Sequence, residues 1–262
     1  MKNVLHNISW RAWRVWQRNY DVYRATWKVN FIPPLLEPLL FLFAFGFGLG
    51  QMVKSVDYGG MEVSYLRFIA PGLIAVAVMN HSFFETTYAS FVRMYYQKTF
   101  DAILSTPLTV EDIILGEMLW AATKSLFAGT IMMGVITAFG LLDYPHSLLI
   151  IPLTMVAGFT FAGIGMCFTA IVKGIEMFNF PVFLFITPMF LFSSVFFPLS
   201  VLPGWAQTVA KCLPLTQLVT IVRDLAFGRV TPDIFLNLLW LVLLGAVCST
   251  AGIVMMKKRL LK

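Results

Sequence analysis

The chain has 262 residues, of which 59% are hydrophobic, 15% aromatic and only 12% charged. An ordinary soluble domain is roughly a quarter charged and about 45–50% apolar, and a single core of this size could not hide so much apolar surface. A soluble enzyme and an extracellular disulfide module are therefore excluded, and the composition predicts an all-α polytopic membrane protein. Of the three cysteines, Cys167 and Cys248 lie in apolar runs and Cys212 is far from both. With no CxxC and no Cys/His cluster, neither a metal site nor a disulfide framework is expected.

The first 30 residues scatter Lys2, Arg11, Arg14, Arg18, Arg24 and Lys28 without an uninterrupted apolar core, unlike a cleaved signal peptide. Residues 1–30 read as a cytoplasmic interface segment and 31–262 as one six-span domain. Within the first, Ile8–Lys28 interleaves Trp10, Trp13, Trp16 and Trp27 with arginines. That pattern predicts an amphipathic helix lying in the cytoplasmic interface, as a lipid anchor or as a docking surface.

Six apolar stretches follow, each near the length of about 20 residues that a bilayer span needs. They are Phe31–Val53, Phe68–Val92, Ile113–Gly140, Leu148–Val172, Phe178–Leu199 and Ile234–Met256, the fifth broken by Pro181, Pro188 and Pro198. With six spans both termini share a side with the second and fourth loops. Thirteen of the 19 Lys and Arg residues fall on that side and five on the other, with Lys124 inside a span. Positive charge marks the cytoplasmic face, so both termini are expected there. Topology and anionic lipid then explain the net charge of +6, and nucleic acid is not an expected partner.

The second loop, 93–112, places Phe100, Ile103 and Leu104 at helical spacing before Thr106-Pro107 breaks the helix. Thr109 can cap a new helix with Asp112 three residues on. On the outer face, 200–233 predicts two helical pieces, Trp205–Cys212 and Thr216–Phe227, dipping partly into the membrane. They form either a lid over an exit path or simple interfacial packing.

Ionisable groups inside spans are functional candidates by default. Glu37 in the first span and Glu85 in the second, four residues after His81, sit at similar depths, roughly 10 Å from the cytoplasmic edge at about 1.5 Å per residue. Glu117 and Lys124 share a face of the third. Together they predict either a structural ion-pair network or the lining of a wet cavity. No nucleophile motif competes, and no Gly-Lys dipeptide exists, so the chain cannot bind ATP through a P-loop.

Several segments taken together are more specific. They are Gly46-Phe47-Gly48-Leu49-Gly50, Phe68-Ile69-Ala70-Pro71-Gly72, Phe100–Leu108, Gly116-Glu117, Phe197-Pro198-Leu199, Leu202-Pro203, Leu213-Pro214-Leu215 and Arg223. This set resembles the membrane subunit of type-2 ABC exporters, most closely the nodulation-factor, or lipo-oligosaccharide, permease branch. The resemblance runs from about Phe31 to Met256. It implies a six-span export permease in the bacterial inner membrane, dimeric with itself or a related permease. Two separate ATPase subunits would bind ATP and Mg, this chain binding no cofactor.

The resemblance further implies that Thr99, Phe100, Asp101, Ile103, Leu104, Ser105, Thr106, Pro107 and Leu108 form the element that couples to the ATPase, and that the outer helices roof the dimer. The cargo would be an amphiphile such as a glycolipid, a polysaccharide or a drug. It would be held between the first, second and fifth spans, with Phe183, Phe190, Phe197 and Trp205 as candidates for its path. An ATP-independent secondary transporter using Glu37, Glu85 and Lys124 as an ion relay is the alternative expectation.

Overall fold

Hydropathy dictates the layout. In a computed structural model, which describes residues 9–53 and 55–261, six helices are long and apolar enough to cross a membrane. They are Trp27–Gly46, Tyr65–Tyr96, Val110–Ala138, His146–Ile171, Ile175–Phe192 and Pro232–Leu260, called spans one to six below. Ile8, Lys2, Lys54 and Lys262, which entered the sequence reading, lie outside the described residues.

The helix starts follow their caps. Thr109 accepts from the Asp112 amide and Asp112 answers to the Thr109 amide, a reciprocal capping box that opens span three where the sequence placed it. Span two opens on Ser64, whose hydroxyl accepts from the Arg67 amide.

Other boundaries move. Span one begins at Trp27, directly after Thr26 breaks the chain from a separate N-terminal helix, Ala12–Ala25. It ends in a wide π-type turn over Ala44–Leu49. There Gly46 faces Leu66 and Gly48 faces open space, so the glycine run does not act as a whole as a helix-packing seam. Span two continues past Val92 through wide turns at Glu85–Ala89 and Val92–Tyr96, which takes Arg93 out of the loop and into the span. Span five stops at Phe192 instead of Leu199, because Ser194 adopts a left-handed backbone (φ 60°) and turns the chain away.

Spans two, three and four form the buried centre, around Phe68, Ile74, Phe83, Met133 and Phe161. Small residues let the helices approach closely. A Cβ on Gly158 would meet Ser125 and Ala122, one on Gly163 the Ser249 backbone, and one on Gly245 Thr160. Spans one, five and six leave Leu36, Leu40, Phe183, Leu184, Phe235 and Leu239 exposed, as apolar faces that meet lipid would be.

Between spans one and two lies a hairpin, Ser55–Tyr58 paired antiparallel with Met61–Ser64. The sequence reading assigned no strand there. Gly59 and Gly60 both have positive φ, the requirement of a two-residue type I′ turn. On the same end, helix Gly204–Cys212 is followed by helix Pro214–Ala226. The second of these buries Leu215, Leu218, Val219 and Val222 and packs on span two. The opposite end gathers the N-terminal helix, the 93–112 loop and the last turn of span six, where Lys257 reaches Glu111.

Candidate functional site: a charged cavity and the ledge beside it

The residues that join the termini end to the membrane interior are charged, and they are assembled in pairs. Arg93 donates through Nη1 to Glu85 Oε1 (2.7 Å) and through Nη2 and Nε to Glu117 Oε2 (2.5 and 2.9 Å). Lys124 Nζ meets Glu85 Oε2 at 2.8 Å, and Trp120 Nε1 donates to Glu85 Oε1 at 3.1 Å. Asn19, on the N-terminal helix, donates to Glu117 Oε1 at 2.8 Å. Two cations and two carboxylates make a neutral cluster whose buried acceptors are all supplied, as burial of charge demands.

Arg93 was not among the residues predicted for this network. The wide turns explain how it arrives. On a straight α-helix at about 100° per residue, eight steps from Glu85 would leave Arg93 about 80° around the axis. Turns closed by i→i+5 bonds advance fewer degrees per residue, which brings Arg93 back beneath Glu85. The signal in the sequence was an arginine eight residues after an intramembrane glutamate, and its meaning depends on that unwinding.

Beside the cluster opens a cavity of about 740 Å³ between the N-terminal helix and spans one, two and three, lined by Arg18, Tyr23, Glu37, His81, Glu85 and Lys124 among others. Glu37 and His81 thus join Glu85 and Lys124 in one space. Neither makes a hydrogen bond or ion pair among the described residues. Of the predicted path residues none lines this cavity. Phe183 and Trp205 are exposed, Phe190 packs edge-on against Phe196 (5.1 Å), and the Phe197 carbonyl accepts from the Ser194 hydroxyl (3.0 Å).

The N-terminal helix is docked on span three. Trp16 Nε1 donates to Thr123 Oγ1 (2.9 Å), and the Ser9 amide donates to Asp112 Oδ1 (2.7 Å). Gly116 makes the contact close, since a Cβ there would lie 2.6 Å from Val15 Cβ and 2.7 Å from the Ala12 carbonyl oxygen. Gly116→Val is therefore expected to lift the N-terminal helix, costing about 1–3 kcal/mol by overpacking. Faster tryptic cleavage at Arg14 and Arg18 in membranes would report it, and an unchanged cleavage rate would refute it.

The loop forms a short helix, Thr99–Leu104, after a left-handed Lys98. Phe100 is fully buried with Phe91, Met94 and Phe178, while Ile103 and Leu104 are half-buried and Asp101, Ala102, Ser105, Thr106 and Pro107 are exposed. Arg11 Nη1 donates to the Pro107 carbonyl at 2.9 Å, and Arg18 Nη2 approaches Thr99 Oγ1 at 3.5 Å. Burial draws the Arg18 guanidinium below its ordinary pKa, against the pull of Glu117. A groove of about 350 Å³ runs between Arg14, Val15 and Arg18 on one side and Ala102, Ile103 and Thr106 on the other. The N-terminal helix and the loop helix thus present one ledge.

At the far end Arg223 is 1% exposed and has no ion pair among the described residues. It donates to the carbonyls of Phe68 (3.1 Å), Ser194 (2.7 Å) and Val195 (3.4 Å), with its guanidinium 3.9 Å from the Phe68 ring centre. Next to it the Tyr58 hydroxyl donates to Asp224 (3.0 Å), and burial pushes that phenol up to about 12. Arg223 appeared in the sequence only as part of a resemblance; its carbonyl-binding role had no spacing signature.

A six-span helical bundle with a neutral ion cluster in its interior is an integral membrane protein. The chain belongs to the ABC-2 type transporter family, whose model matches residues 11–227. Nodulation protein J of Sinorhizobium fredii (strain NBRC 101917 / NGR234) is 36% identical over 258 residues, covering 98% of this chain and 97% of that protein. Nodulation protein J of Rhizobium meliloti (strain 1021) is 37% identical over 243 residues, or 93% and 89% of the two chains. The inner membrane transport permease YadH of Escherichia coli (strain K12) is similar at 24% identity over 219 residues, 82% of each. Membership makes this chain a membrane permease of the ABC class, a kind of protein that works with an ATPase subunit.

Proposed function

We propose that the chain is the permease of an ATP-driven exporter that moves an amphiphile, of the glycolipid or lipo-oligosaccharide kind, out of the cytoplasm or inner leaflet. Two copies, or this chain and a related permease, form the translocating unit in the bacterial inner membrane. Separate ATPase subunits supply ATP and Mg chemistry. The excess of Lys and Arg on the termini side supports cytoplasmic termini. It also supports an interfacial N-terminal segment (1–30) ahead of the spanning domain (31–262). The helices within 200–233 would roof the exit side.

The observation that carries the reading is the ledge. Its exposed face offers Asp101, Ala102, Thr106 and Pro107 to a partner. Its underside is tied through Asn19 to Glu117, and so to the cluster in spans two and three. A push on the ledge by a closing ATPase dimer therefore reaches the walls of the inner cavity through rigid, hydrogen-bonded elements. The relay alternative has less support, since the Glu85 carboxylate is already committed to Arg93, Lys124 and Trp120.

The test is co-purification with the partner ATPase and measurement of ATP turnover and export. Ala102→Arg and Thr106→Arg, on the exposed face, are expected to lower export at least ten-fold with the fold intact. Phe100→Asp, in contrast, is expected to unfold the loop. Normal export by both exposed-face variants would remove the coupling role from this ledge.

A further inference from the structure

A basic site lies at the same end of the molecule, apart from the charged cavity. The ends of spans four and six enclose a cavity of about 920 Å³. Lys173, Lys257, Lys258 and Arg259 surround it, over an apolar floor that includes Ile171 and Met255. Two of the four cations are engaged by the protein. Lys257 Nζ meets Glu111 at 2.5 Å, and Arg259 Nη1 binds the carbonyls of Thr169 and Val172, capping the end of span four. Lys173 and Lys258 are exposed and make no hydrogen bond or ion pair among the described residues. Glu176, close in sequence, does not line the cavity.

The geometry points to a resident anionic phospholipid, its phosphodiester held by Lys173 and Lys258 and its acyl chains lying along the apolar floor. Three features favour a lipid over a soluble anion. The site sits at the ends of two membrane spans, where headgroups lie. Among the described residues, no carboxylate lines the cavity to balance Lys173 and Lys258, Glu111 being paired with Lys257. Exposed Ile171 and Leu261 flank it, which a small anion would leave bare and an acyl chain would cover. Basic pockets between helices at the membrane boundary recognise anionic headgroups by this chemistry. The inference needs only that the chain is embedded in a bilayer; it stands or falls apart from the proposed export function.

The site also touches the ledge's support. Lys257 holds Glu111, which sits two residues after the Thr109 cap that ends the 93–112 loop. A phosphate drawn onto Lys173 and Lys258 adds a tie at the corner where spans three, four and six meet.

Native mass spectrometry of the purified full chain tests this, with dioleoyl-phosphatidylglycerol titrated against dioleoyl-phosphatidylcholine. The wild-type chain is expected to retain the anionic lipid preferentially. At about five-fold per cation near a charged headgroup, K173Q/K258Q should weaken that retention by about 25-fold, and K173R/K258R should keep it. R24Q/K28Q, which removes two exposed cations from the N-terminal region, should leave it unchanged. An undiminished preference in K173Q/K258Q, or an equal loss in R24Q/K28Q, would overturn the site. Displacement of the bound lipid by millimolar glycerol 3-phosphate would overturn the lipid as its occupant.

Discussion

Arg93→Ala is expected to destabilise the protein by about 3–5 kcal/mol, the penalty for removing one partner of a buried ion pair. Single side-chain hydrogen bonds between membrane helices average only about 0.6 kcal/mol, so the size of the effect has to come from charge. Without Arg93, Glu117 keeps only the Asn19 amide among its described side-chain partners, and Glu85 keeps Lys124 and Trp120. The double variant Arg93→Ala/Glu117→Gln should recover part of the loss, because it removes a carboxylate that the single variant leaves uncompensated. Arg93→Lys should fall between, since one ammonium lacks the fork that spans two carboxylates. Thermal unfolding in detergent, with Glu117→Gln alone for comparison, decides it; strictly additive losses would show that Arg93 and Glu117 do not act as a unit.

Arg223→Met is expected to cost a similar amount, roughly 3–5 kcal/mol, for a different reason. Here no charge pair breaks. The Ser194 and Val195 carbonyls, in the turn after span five, lose their donor inside the protein, at about 1–3 kcal/mol for each group left unsatisfied. The damage should be local. Val195 is fully buried beneath the turn that Arg223 holds, so a Val195→Cys probe, in a background with the three native cysteines replaced by serine, should resist maleimide. It should become reactive when Arg223→Met is added. Equal protection with and without Arg223 would mean that the turn after span five holds itself.

The contrast between the two arginines shows what the sequence could and could not disclose. Six spans were legible because long apolar runs leave little alternative, and the start of span three because Thr109 and Asp112 carry a complete cap. Glu85, Glu117 and Lys124 stood out as charges in an apolar setting. Arg93 did not, because it falls at the end of an apolar run and reads as a loop residue until the wide turns extend the helix to Tyr96. The hairpin at Ser55–Ser64 was signalled by Gly59-Gly60 but by little alternation on either side. The end of span five at Phe192 was hidden because a serine in a left-handed conformation has no sequence mark comparable to glycine. Phe100 belongs to the element expected to couple to the ATPase; within that element the fold turns Phe100 fully inward and leaves Ala102 and Thr106 outside.

A growing chain meets the bilayer one segment at a time, and each charged side chain near a span's centre opposes insertion by about 2.5–3.5 kcal/mol. Span two brings Glu85 and Arg93 with it, already paired and opposite in sign. Span three adds Glu117 and Lys124, which find their partners on span two. Leaving the insertion machinery as a joined hairpin, the two segments present lipid with no net charge from these four groups, and the N-terminal helix, made first, is already at hand to supply Asn19. The arrangement that stabilises the mature protein thus also bears on its biogenesis: the first half of the chain holds all four charges of the cluster, ahead of the last three spans.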